Sequence, residues 1–149
     1  MEELKKILKD TTKCALFDHY LIKSKNIAYL KFILEVEDYK QSYEAQDETW
    51  RQDLAQEIFR RYIQKNAKNY IELTTNVIDE ITKSIKTPKA DLFVGAYNTS
   101  LKYMADNVLS DFINSDVYKQ YRGKNRLIES TTELGSHFVE CCAHITIFR

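Results

Sequence analysis

Residues Phe17–Lys40, FDHYLIKSKNIAYLKFILEVEDYK, decide how this chain folds. The stretch reads as two short amphipathic helices joined by a polar break. The second helix ends in Glu35-Val36-Glu37-Asp38-Tyr39-Lys40, an acidic-aromatic-basic close.

The same helical period continues outward. Trp50, Leu54, Ile58, Phe59, Tyr62 and Ile63 form an apolar stripe with Arg and Gln between them. Asp47, followed by acidic Glu48, is a plausible N-terminal cap for that helix. Thr75 is placed to cap a shorter helix carrying Val77, Ile78, Ile81 and Ile85, which Thr87-Pro88 then breaks. Phe93, Tyr97, Leu101, Met104, Val108 and Phe112 step by three or four residues and define one face of a long helix. The connections 41–46, 65–74 and 86–91 are short and polar.

Composition supports this reading. The 149 residues suit one domain with one sizeable core. A hydrophobic share of 44%, with 12% aromatic, argues for a folded globule. Three Gly and one Pro leave little material for the tight turns of an all-β protein. A formal net charge of zero gives no global basic field for nucleic acid, so none is expected as partner. No run approaches the ~20 apolar residues of a membrane span, and the N-terminus lacks signal-peptide and myristoylation patterns. Cys14, Cys141 and Cys142 are an odd count without framework spacing, which reads as reduced thiols in a cytoplasmic protein.

In order and spacing these blocks resemble the regulator of G-protein signalling (RGS) family. Its opening pairs a Phe-x-x-Phe-Leu helix with an aromatic-rich helix ending Glu-Glu/Asp-Tyr-Lys. Ala55-x-x-Ile58-Phe59-x-x-Tyr62-Ile63 is similar to the family's Ala-x-x-Ile-Tyr-x-x-Phe-Ile. Leu73 matches a buried loop Leu. Pro88, Phe93-x-x-Ala96, Met104 and Phe112-Ile113-x-Ser115-x-x-Tyr118 follow the closing helices. The resemblance covers about Leu4 to Tyr121. It implies an all-α, RGS-type helical bundle of about nine helices, over residues 1–122, with residues 123–149 a C-terminal extension, helix or ordered tail. Arg122-Gly123-Lys124-Asn125-Arg126 reads as a basic break between them.

The resemblance also implies a partner, the heterotrimeric G-protein α subunit (Gα). RGS domains add no catalytic group of their own; they favour the partner's switch segments in transition-state geometry. Three places form the family's reading surface, and this sequence departs at each. Where a Glu-Glu-Asn loop ending is usual, Ile27, Ala28 and Tyr29 align. The mid-domain Asn-Leu-Asp-Ser becomes Glu72-Leu73-Thr74-Thr75. On the penultimate helix, Leu, Asp and Arg become Tyr103, Asn107 and Asp111. The expected partner-binding residues are therefore Asn26, Ala28, Tyr29, Glu72, Thr75, Tyr103, Asn107 and Asp111. Tyr29 and Tyr103 would serve as packing contacts, and Asn26, Thr75 and Asn107 as hydrogen-bonding groups. The expected activity is binding of activated Gα with stimulation of its GTP hydrolysis; the alternative is an RGS-homology scaffold without that activity. The expected location is the cytoplasm, including the inner face of the plasma membrane.

Other constellations have plainer readings. Glu35, Glu37 and Asp38 read as a helix end whose charges pair with nearby lysines rather than as an acidic site. Trp50 and the tyrosine-rich stripes read as core. His137, Cys141 and His144, spaced i, i+4, i+7, would share a helix face as in a zinc site, but a Cys/His packing face is the preferred reading. No metal, cofactor or catalytic residue is expected. Arg60, Arg61, Lys65 and Lys68, and separately Lys119, Arg122, Lys124 and Arg126, are basic clusters. They read as solvated helix faces, with weak contact to anionic lipid headgroups as the alternative.

Overall fold

The computed structural model describes residues 1–128. Those residues form eight α-helices and a π-helical turn, with no strand among them. In chain order the helices are α1 (Glu2–Lys9), α2 (Thr11–Leu21), α3 (Ile27–Ser42), α4 (Glu48–Ile58), α5 (Thr75–Ser84), α6 (Val94–Asn107), α7 (Leu109–Ile113) and α8 (Asp116–Ile128); the π turn is Phe59–Ile63, directly after α4. The all-α expectation holds, with eight α-helices where about nine were expected.

Side-chain caps account for two of the helix starts. Asp10 closes α1 and starts α2, its carboxylate accepting from the Lys13 N–H at 3.0 Å. Asp47 caps α4 as the sequence indicates, accepting from the Trp50 N–H at 2.8 Å. For α5 the capping position is Thr74 rather than Thr75, and its side chain makes no capping bond. The long helix expected through Phe112 is interrupted at Val108, whose φ of −123° separates α6 from α7. The expected break after Tyr121 is absent. Helix α8 runs through Gly123 to Ile128, because one Gly weakens a helix by about 1 kcal/mol without ending it, and the φ of Gly123 is not positive. The His137, Cys141 and His144 constellation and most of the 123–149 extension lie outside the described residues.

The chain divides into two compact units. Among the described residues, one comprises Met1–Ile27 and 103–128; the other is Ala28–Lys102. In the first, Leu4, Ile7, Phe17, Leu21, Met104 and Phe112 are each at most 1% exposed. Phe112 is the hub, with ring centroids 4.7 Å from Phe17, 5.4 Å from Tyr20 and 5.0 Å from Tyr118. In the second, Phe32, Tyr39, Tyr62 and Phe93 interlock edge-to-face, the arrangement aromatic quadrupoles favour. Trp50 is only half-buried, whereas Tyr39 and Tyr62 are fully buried. Leu73 is half-buried, and the residue the loop buries completely is Ile71.

Candidate functional site

The eight expected contact residues fall into two groups, one in each unit. In the first unit, Asn26 sits at the end of the α2–α3 connection, where its N–H donates to Ser24 Oγ at 3.1 Å. Its side-chain Oδ1 accepts from the Tyr103 hydroxyl on α6 at 3.1 Å. One turn along α6, Asn107 Nδ2 donates back to the Tyr103 carbonyl at 3.0 Å. Asn26, Tyr103 and Asn107 are thus joined by hydrogen bonds, with Asn26 and Tyr103 half-buried and Asn107 exposed. Asp111 lies past the Val108 interruption, exposed on α7.

In the second unit, Ala28 is 5% exposed and Tyr29 8%. That leaves little of either side chain for a partner to touch. The expectation of Tyr29 as an outward packing contact gives way to an internal role, because its hydroxyl accepts the Glu72 N–H at 3.1 Å. A phenol at this position is long enough to reach the backbone of the 64–74 loop. The Glu72 and Thr75 side chains are exposed.

Polar residues that sequence reading treated as surface are partly internal. Glu35 projects from α3 between buried Leu34 and Val36. Its Oε1 accepts from Arg61 and, at 2.9 Å, from the Tyr62 hydroxyl, while Oε2 is buried without a partner. Glu37 accepts from the Tyr97 hydroxyl at 2.7 Å. Glu35 and Glu37 at the close of α3 therefore pair with an arginine and two tyrosines, which the π turn and α6 bring to that face. The signal available in sequence was Glu35 itself, a carboxylate inside an otherwise apolar run.

These contacts shift the phenols. Burial, reinforced by the Glu35 charge, raises the Tyr62 pKa well above the usual tyrosine value. Burial and the Glu37 hydrogen bond do the same for Tyr97. Burial beside Tyr43 raises Tyr39. Each phenol is held protonated, as hydrogen bonds made in a low-dielectric setting require.

The basic cluster on the π turn is partly consumed as well. Arg60 pairs with Glu57 at 3.3 Å, and Arg61 bridges Glu57 at 2.8 Å and Glu35. Lys65 and Lys68 are exposed, as are Lys119, Arg122 and Lys124 on α8. Among the described residues, no group of three or more His, Cys, Asp or Glu side chains is arranged to hold a metal ion, and no helix is long and apolar enough to cross a membrane.

No curated protein matches the sequence significantly. A family model for the regulator of G protein signaling domain matches residues 3–121, nearly all of the described chain. Ordered helical blocks, the aromatic cores and this match agree: the chain belongs to the regulator of G protein signaling domain family, whose members regulate G-protein signalling.

Proposed function

We propose that the chain binds an activated heterotrimeric G-protein α subunit and thereby stimulates its GTP hydrolysis. The observation that carries this reading is the family match over residues 3–121. A Gα subunit supplies its own arginine in cis and a water-orienting Gln. A regulator therefore needs no acid or base of its own; it accelerates hydrolysis by binding the switch segments more tightly in their transition-state geometry.

Asn107 and Asp111 in one unit, and Glu72 and Thr75 in the other, are the exposed polar groups for that contact. Asn26 and Tyr103 stand beside Asn107 as a hydrogen-bonded pair, and Ala28 and Tyr29 lie behind the surface. Carboxylates at Glu72 and Asp111 fit a partner with basic or donor groups opposite, and disfavour an acidic one. On this reading the protein works in the cytoplasm, at the inner face of the plasma membrane. The test is binding to a panel of Gα subunits, each loaded with GDP alone and with GDP plus aluminium fluoride. Selective binding of the fluoride state, followed by faster single-turnover hydrolysis, is the expected result; equal or absent binding in both states would count against it.

A second reading, a scaffold that holds another protein without stimulating hydrolysis, draws on one specific observation. Two of the aligned contact positions, Ala28 and Tyr29, are buried. Absence of Gα binding in either nucleotide state would favour that reading.

A further inference from the structure

The 64–74 loop is polar and follows the π turn, yet its backbone is held closely. Asn66 adopts a left-handed φ of 70°, a conformation Asn tolerates better than most residues, and this reverses the chain. The Asn69 N–H then donates to the Arg61 carbonyl at 3.1 Å, and the Ile71 N–H to the Tyr62 carbonyl at 2.9 Å. Those carbonyls are available because the π turn ends there, and the final carbonyls of any helix lack partners within it. Arg61 and Tyr62 are themselves fixed through their side chains by Glu35. Past Ile71 the backbone bonds to the π turn stop. The next anchor is a side chain: the Glu72 N–H donates to Tyr29 Oη, 43 residues away in sequence.

We propose that Tyr29 is a positioning residue for partner recognition, its hydroxyl pinning the Glu72 amide so that Glu72 and Thr75 are presented in one fixed geometry. This inference rests on the Gα reading above. The Tyr29 ring is 8% exposed and packed, so its hydroxyl is a rigid acceptor rather than a tethered one. A loop ordered before the encounter loses less conformational freedom on association, which raises affinity without adding a contact.

Tyr29→Phe removes the hydroxyl and keeps the ring. Tyr43→Phe is the control, since it deletes a comparable bond, Tyr43 hydroxyl to the Pro88 carbonyl at 3.0 Å, elsewhere in the same unit. The readouts are amide hydrogen exchange at Glu72, thermal stability, and affinity for Gα loaded with GDP and aluminium fluoride. Loss of one hydrogen bond predicts Glu72 exchange faster by about two- to tenfold in Tyr29→Phe. Affinity should fall by a similar factor, with a thermal shift no larger than that of Tyr43→Phe. The control should leave both Glu72 exchange and affinity unchanged. Unchanged Glu72 exchange in Tyr29→Phe would overturn the proposal, as would faster exchange with full affinity. An equal loss of affinity in the control would overturn it too, by reducing the effect to general destabilisation. If the unaltered chain binds no Gα in either state, the Gα reading falls and this proposal with it. Binding by the unaltered chain with undiminished binding by Tyr29→Phe removes the proposal alone.

Discussion

The Tyr103 hydroxyl donates to Asn26 Oδ1 at 3.1 Å, joining residues 77 apart in sequence. The bond fastens the α2–α3 connection to α6 within one unit, and Asn107 adds a bond to the backbone of the same tyrosine. Because Asn26 and Tyr103 share one interaction, their substitutions should not add. Tyr103→Phe and Asn26→Ala are each expected to cost about 0.5–1.5 kcal/mol. The double variant should cost less than the sum, measured by urea unfolding in a double-mutant cycle.

Asn107 is exposed, and its side-chain bond is local to α6. Asn107→Ala should therefore leave unfolding within about 0.5 kcal/mol of the parent while weakening Gα binding. Tyr29→Ala behaves differently. Removing a packed aromatic ring opens a void costing about 3–5 kcal/mol, so its binding defect would report the fold and not the interface. Calorimetric titration alongside thermal melts separates the two cases.

Arg61 is the charge that accompanies Glu35 into the second unit. Arg61→Met strands a carboxylate whose side chain is only 18% exposed. Arg61 is itself 38% exposed, and solvent tempers the loss. Destabilisation of about 1–3 kcal/mol is expected. Pairing it with Glu35→Gln should recover part of that loss, because no bare charge remains. Retention of full stability in Arg61→Met would show that water compensates Glu35 completely.

Tyr39, Tyr62 and Tyr97 give the second unit an alkaline limit. Their folded pKa values are raised above the ordinary 10.0. Below about pH 10 the phenols are protonated in both folded and unfolded chains, and their contribution is fully present. Above it the unfolded chain releases protons that the folded chain keeps, so stability declines as pH rises. Each tyrosine retained in its protonated form steepens the decline by about 1.4 kcal/mol per pH unit. Urea unfolding between pH 8 and 11 should show a plateau followed by this fall, and Tyr97→Phe should make it shallower.

Gly123 lies exposed inside α8, and a Cβ built there meets nothing within 4 Å. Its φ is not positive. Gly123→Ala should therefore stabilise by about 0.4–1 kcal/mol, mostly by restricting the unfolded chain. Helix content by circular dichroism and the urea midpoint should both rise.

Much of the framework was legible because its causes are local. Asp47 announces α4 by capping it, and Phe93, Leu101, Met104, Val108 and Phe112 recur at helical spacing and are all buried. The interruption at Val108 was not legible, since periodicity continues across it. The break expected at Gly123 failed for the opposite reason: a weak helix former is not a stop when neighbouring turns supply the hydrogen bonds. Among the candidate contacts, Asn107, Asp111, Glu72 and Thr75 are exposed as a contact surface requires, whereas Ala28 and Tyr29 are not.

By itself, then, the sequence determined the all-α class, the aromatic cores and membership of the family, because periodicity, capping and ordered motifs are properties of neighbouring residues. Only the tertiary structure decided which polar groups remain at the surface. Tyr29 turns to the Glu72 amide and Glu35 to Arg61 and Tyr62, pairings between residues 26 to 43 positions apart. A buried donor, acceptor or charge must find its partner wherever the packed chain brings one, and spacing along the sequence carries no record of that choice.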